Sequence, residues 1–131
     1  MMMSENRDEK YLTYFTNGTY DAYADTTKNK GGLEQGFRPH ELLEAALACC
    51  MNMSLRMTAE KLSIPLEEVK VHVSLKRDDP EHPTFEYAVS FGKALSYEEE
   101  QKLLAALECS SVRSTLSKPL AFKRVDAKEN M

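Results

Sequence analysis

Alternation of apolar and polar residues predicts three strands in the second half of the chain. The stretch EEVKVHVSLKRD (67–78) places valine or leucine at every second position, a period typical of a half-buried strand. The stretch TFEYAVSFG (84–92) alternates again after the turn-forming DDPEHP, which predicts an antiparallel hairpin. A third alternating stretch, LAFKRVDA (120–127), predicts a final strand.

A second hairpin is predicted near the N-terminus. Aromatic and β-branched residues lie on both sides of Asn17-Gly18 in YLTYFTNGTYDAYADTT, and Asn-Gly favours the positive φ angles of a tight turn. Residues 1–9 are polar and are expected to fray. The glycine-rich KNKGGLEQGF that follows predicts a loop.

Two helices separate these strands. The first is predicted over 39–63, because Pro39 suits a first helical position and Pro65 ends the segment. Apolar residues run almost all the way round its middle, which predicts a helix buried on most sides. The second is the amphipathic SYEEEQKLLAALECS, where Ser96 and Glu99 form a capping box. SVRSTLSKP is expected to add a helical turn.

Strand pairs separated by helices indicate an α+β fold rather than a doubly wound parallel sheet. The length of 131 residues and the absence of a linker predict a single domain over 1–131. One small sheet cannot cover a helix that is apolar on most sides. A second subunit is therefore expected to cover the rest, giving a homodimer.

Composition excludes several classes of function. The net charge of −4 and the scattered lysines and arginines argue against a nucleic-acid partner. No apolar run is long enough for a membrane helix, and the N-terminus resembles no signal peptide. Three cysteines, two of them adjacent, do not form a disulfide framework and favour a reducing cytoplasm. The histidines are not spaced as metal ligands, so no metal is expected.

The segments PHELLEAALACCMNM and SYEEEQKLLAALECSSVRSTL together resemble the family of the osmotically induced protein OsmC and the organic hydroperoxide resistance protein Ohr. The resemblance covers roughly residues 33–125 and the N-terminal strands. It implies an OsmC-like fold, with antiparallel sheets around a long buried central helix, and an intertwined homodimer. It also implies a thiol peroxidase that reduces organic hydroperoxides without a cofactor.

In the catalytic members of that family, a first cysteine attacks the peroxide and then forms a disulfide with a second, which a dithiol reductant opens. The nucleophile lies eleven residues after the proline that starts the helix. Counting from Pro39 gives Cys50, which makes Cys50 the candidate nucleophile and Cys49 the candidate packing residue. The second thiol would be Cys109.

A buried thiol needs a positive neighbour to ionise at neutral pH. The family draws an arginine from the N-terminal sheet and orients it with a glutamate directly after the proline. Here residues 8–37 contain no arginine, His40 follows Pro39, and Glu41 comes next. Arg38, His40 and Glu41 are therefore the candidates for the cation and its orienting group. Arg56 and Arg113 are the other available arginines.

The second cysteine also departs from the family pattern. In that family the second helix ends in a cysteine followed by Pro-Val and a hydroxyl-rich tail similar to S-x-T-L. Matching VRSTL to this tail puts Ser110 at the cysteine position and Ser111 at the proline position. Cys109 comes one residue early, and one residue rotates a helical side chain by about 100°. Cys109 stays the candidate second thiol if the helix ends differently there.

These departures leave two alternatives to a peroxidase. One is a non-catalytic dimeric scaffold or binder of small ligands, in which the cysteines only pack. The other is a thiol-based redox sensor that oxidises slowly and does not turn over.

Overall fold

The computed structural model describes residues 1–127 and has the predicted α+β architecture. Its strands are β1 (Met3–Asn6), β2 (Thr13–Thr16), β3 (Asp21–Ala24), β4 (Val69–Lys76) and β5 (Thr84–Phe91). Its helices are α1 (Pro39–Lys61), α2 (Tyr97–Ala106) and α3 (Ser111–Leu116), with short 3₁₀ turns at Lys28–Lys30 and Leu107–Cys109. The chain divides into two compact units, one of residues 1–49 and 70–90, the other of 50–69 and 91 onward.

The first unit contains an antiparallel sheet in the order β1-β2-β3. The hairpin predicted around Asn17-Gly18 is confirmed, with Thr16 opposite Asp21. Its loop has a glycine at φ 98°, and the Asn17 side chain accepts the N–H groups of Thr19 and Tyr20. The predicted fraying of residues 1–9 is wrong for β1, because Met3–Asn6 pairs along β2.

The predicted hairpin of β4 and β5 is confirmed, and half-buried and exposed residues alternate along β4. Glu44 of α1 holds this hairpin in the first unit, since its Oε2 accepts the Leu75 N–H at 2.7 Å. The acidic residue that interrupts the apolar run of α1 therefore provides an acceptor for a strand N–H.

A buried carboxylate organises the loop between β3 and α1. Asp25 is only 3 % exposed. It accepts the backbone N–H groups of Thr26 at 2.7 Å, Leu33 at 3.2 Å and Gln35 at 3.2 Å. Three charge-assisted hydrogen bonds fix a segment that has little regular structure of its own.

In the second unit the core is built on one face of α1. Met51, Leu55 and Ala59 of α1 are four residues apart and buried. Leu103 of α2 and Leu107 of the 3₁₀ turn after it are also buried. The capping box predicted for α2 is confirmed, because Ser96 and Glu99 each accept the other's backbone N–H.

Two predictions from the sequence are wrong for the single chain. The final strand is absent, since residues 119–126 are exposed and lie outside helices and strands. The first helix is not buried on most sides, since Leu43, Met53 and Met57 of α1 are exposed. Both errors have one physical reason: an apolar pattern indicates that a surface needs covering but does not say which chain covers it.

Candidate active site

The candidate site is built around Cys50, in the fourth turn of α1. Cys50 is half-buried and is followed by the fully buried Met51, whereas Cys49 is exposed. Adjacent residues of a helix point about 100° apart, so the two neighbouring thiols lie in different surroundings.

Two hydroxyl groups contact the Cys50 sulfur. The Oγ of Ser110, which is completely buried, donates to Cys50 Sγ at 3.0 Å. The Oγ of Ser111 lies 3.4 Å from the same sulfur, and either atom can be the donor. Both serines belong to the second unit, as Cys50 does.

The chain brings these hydroxyls to the sulfur by breaking the helix. Leu107–Cys109 forms a 3₁₀ turn, Ser110 adopts extended ψ (φ −56°, ψ 128°), and α3 begins at Ser111. The first N–H groups of a helix have no intrahelical partner, and those of Ser111 and Val112 contribute to the lowered pKa of Cys50.

These donors change the acidity of the thiol. The side chains of Ser110 and Ser111 lower the pKa of Cys50 from 9.0 to about 7, aided by the two backbone N–H groups and opposed by burial. Hydrogen bonds to a charged form stabilise that form. The lowered pKa favours the thiolate of Cys50 at neutral pH, and the thiolate is the nucleophilic form.

The sequence led us to expect a cation as the activating group, but within residues 1–127 the causes of the lowered pKa are neutral donors. Arg113, in the second unit, is bound to Glu108, with 3.3 Å to its carboxylate and 3.4 Å to its carbonyl oxygen. Arg56 donates to the Asn52 side chain at 2.8 Å.

The other candidates lie in the first unit, at the start of α1. The Glu41 carboxylate accepts the Arg38 backbone N–H at 2.8 Å and forms an ion pair with its guanidinium at 3.3 Å. His40 is exposed beside them. The structure thus brings Arg38 and Glu41 together, and their catalytic roles stay predictions.

Cys109 is a free, exposed thiol that ends the 3₁₀ turn, one residue before the serine that contacts Cys50. Its role as second redox thiol stays a prediction. Sequence analysis did not identify Ser110 as a partner of the sulfur. The signal that could have identified Ser110 is the match of VRSTL to the family tail, which puts Ser110 at the position where a cysteine was expected.

The described residues 1–127 contain no cluster of three or more His, Cys, Asp or Glu side chains that could hold a metal ion. In the same part of the chain, no helix is both long and apolar enough to cross a bilayer.

The fold and the site together define an α+β protein whose long helix carries a hydrogen-bonded, acidified thiol. The family model described as OsmC-like protein matches residues 30–123. The chain belongs to the OsmC-like family, as its sequence pattern indicated. Comparison with curated proteins gives no match.

Solved structures show the same fold. An OsmC-like protein from Mycoplasma pneumoniae is 13 % identical with a TM-score of 0.69, over 89 % of this chain and 86 % of that one. An organic hydroperoxide resistance protein from Legionella pneumophila is 19 % identical with a TM-score of 0.65, over 88 % and 87 %. The organic hydroperoxide resistance protein OhrB of Bacillus subtilis is 22 % identical with a TM-score of 0.62, over 88 % of each chain.

Proposed function

We propose that the protein is a cytoplasmic thiol peroxidase that reduces organic hydroperoxides and protects against oxidative stress, with Cys50 as the nucleophile. The observation that carries the proposal is the cluster of hydrogen-bond donors on Cys50 Sγ, which favours its thiolate at neutral pH. Family membership supports the same chemistry, as do relatives of the same fold that are named for organic hydroperoxide resistance.

The first step is a displacement at oxygen. The Cys50 thiolate attacks one peroxide oxygen, the O–O bond breaks, and the alkoxide leaves as the alcohol after taking up a proton. Cys50 becomes a sulfenic acid. Arg38, His40 and Glu41 are proposed to orient or polarise the peroxide. The cycle needs neither a metal nor an organic cofactor, because sulfur itself is oxidised and then reduced by a thiol.

Consumption of cumene hydroperoxide at pH 7, with dithiothreitol as reductant, tests this function. We expect wild type to consume the peroxide and Cys50→Ser to lose essentially all of this activity. Cys49→Ser is the matched control, because it removes the adjacent exposed thiol and leaves the hydrogen bonds to Cys50 in place.

Two results would contradict the peroxidase. Thiols of the wild type that survive excess hydroperoxide unchanged would support the alternative, a non-catalytic scaffold or binder of small ligands. Slow oxidation of Cys50 without turnover would instead support a redox sensor.

We further propose that the working form is a homodimer. Leu43, Met53 and Met57 leave an apolar stripe uncovered on α1, and such stripes mark interfaces. Phe122, 95 % exposed in the C-terminal segment, adds another apolar surface for a second copy to cover.

The variant Met57→Glu tests this assembly. A charge at an apolar interface loses its hydration, so we expect the variant to sediment as a monomer at concentrations where wild type sediments as a dimer. Tyr97→Glu is the control, because Tyr97 is an exposed aromatic residue at the start of α2. A dimeric Met57→Glu, or a monomeric wild type, would contradict the proposal.

A further inference from the structure

We propose that oxidised Cys50 is reduced through a one-cysteine cycle, in which a small monothiol from solution takes the place of a second cysteine of the chain. This inference rests on the proposed peroxidase function and names the class of its reductant. It departs from the expectation that Cys109 completes the cycle.

The groups that touch the sulfur are hydroxyls. Ser110 Oγ at 3.0 Å and Ser111 Oγ at 3.4 Å occupy the approach from the turn after α2. A hydroxyl can donate a hydrogen bond to the sulfur at each stage but cannot form a disulfide with it. A sulfenic acid formed at Cys50 thus meets a serine where an internal cycle needs a thiol.

Cys109 is exposed, whereas buried residues lie near it on both sides along the chain. Leu107 is 1 % exposed and Ser110 is 0 % exposed, whereas Cys109 between them is exposed. A disulfide requires a sulfur–sulfur distance near 2.05 Å. Turning Cys109 inward would require a change in the 3₁₀ turn, whose present form buries Leu107 and Ser110 and exposes Cys109.

Cys49 is excluded by helix geometry. Its Cα is about 3.8 Å from that of Cys50 across a trans peptide, shorter than the usual disulfide range of roughly 4.4–6.8 Å. Both residues also lie in the interior of α1, where adjacent side chains diverge.

Any path that admits the organic hydroperoxide to Cys50 also admits a small thiol, and in the single chain Cys50 is only half-buried and Ser111 beside it is exposed. The monothiol R′SH attacks the sulfenic sulfur, an S–S bond forms and water leaves. A second R′S⁻ attacks the outer sulfur, which releases R′SSR′ and returns the Cys50 thiolate. In sum, one hydroperoxide and two monothiols give one alcohol, one water and one R′SSR′.

Intact-mass measurement after one equivalent of cumene hydroperoxide separates the two cycles. We expect a gain of one oxygen atom that dimedone traps on Cys50, and on adding glutathione a gain of one glutathionyl group at the same residue. Cys109→Ser should keep wild-type turnover with glutathione. A loss of two hydrogens on oxidation, or a Cys109→Ser protein that stops turning over, overturns the inference.

The variant Ser110→Cys tests the geometry directly. A thiol in place of the hydroxyl that contacts Cys50 should now form an internal disulfide on oxidation, with a loss of two hydrogens and no dimedone adduct. If Ser110→Cys instead gives the same sulfenic acid as wild type, the geometric basis fails and the inference with it.

The two proposals fail in different ways. Peroxide consumption that proceeds through an internal disulfide overturns only the one-cysteine cycle. A wild type that consumes no peroxide with either glutathione or dithiothreitol overturns the proposed function and, with it, this inference.

Discussion

The variant Ser110→Ala is expected to raise the pKa of Cys50 to roughly 8–9 and to slow its reaction with hydroperoxide about tenfold at pH 7. The hydrogen bond from Ser110, which this variant removes, is the largest of the causes that lower the pKa of Cys50. A hydrogen bond to a charged group contributes about 1.5–3 kcal/mol, and 1.36 kcal/mol corresponds to roughly one pKa unit. The thiolate fraction at neutral pH would therefore fall from about half to a few per cent.

The pH profile distinguishes this electrostatic effect from a damaged fold. Above about pH 9.5 both proteins should be largely ionised, so their rates should converge, whereas a misfolded site would stay slow at every pH. The rate of alkylation of Cys50 against pH gives the pKa directly. It is measured in proteins that also carry Cys49→Ser and Cys109→Ser, because both of those thiols are exposed.

Ser111→Ala is the matched control for Ser110. Its hydroxyl lies farther from the sulfur, at 3.4 Å, and its side chain is exposed, so the pKa of Cys50 should rise less. If Ser110→Ala leaves the pKa of Cys50 near 7, then the buried hydroxyl does not activate the thiol.

The variant Asp25→Ala is expected to give the largest loss of stability, with a melting temperature lower by about 5–10 °C. Asp25 is buried and accepts three backbone N–H groups, those of Thr26, Leu33 and Gln35. Alanine would leave these donors without an acceptor, and water could replace it only by opening the loop. Thermal unfolding followed by circular dichroism measures the change.

The contribution of Asp25 should also depend on pH. Burial alone would raise the pKa of Asp25, but the three N–H donors outweigh it and hold the pKa below 3.8. A carboxylate with a lowered pKa stabilises the fold fully above its unfolded pKa, and this contribution is lost as pH falls through the folded value. The gap between wild type and Asp25→Ala should be largest above about pH 4 and shrink below it.

Asp21→Ala is the control for this prediction. Asp21 begins β3, the strand that ends one residue before Asp25; it is exposed and accepts one hydrogen bond from the Tyr14 hydroxyl at 3.1 Å. Its loss should shift the melting temperature little. Equal melting temperatures for the two variants would mean that the buried hydrogen bonds do not stabilise the loop.

Local patterns predicted most of the fold. The Asn17-Gly18 hairpin, the alternation of β4 and the Ser96 capping box each depend on interactions within a few residues, so the sequence alone suffices for them. β1 was missed because three of its four residues, MSEN, are polar, and its strand conformation comes from pairing with β2. That pairing is a tertiary contact, and no local pattern of residues predicts it.

The site was predictable only in part. The resemblance to the OsmC/Ohr family, counted from Pro39, implied Cys50 rather than Cys49, and the structure gives Cys50 the lowered pKa. The contact with Ser110 depends on a break in the helix at one residue, where ψ becomes 128°. If the chain had continued as a helix, a different side chain would have faced the sulfur, and sequence alone cannot locate such a break.

The segment 119–126 also has a consequence for handling the protein. It is exposed throughout, lies outside helices and strands, and carries the exposed apolar side chains of Leu120, Phe122 and Val125, so another extended chain could pair with it. Covering it with an identical molecule would link folding to association by mass action, so that dilution would lower the unfolding temperature.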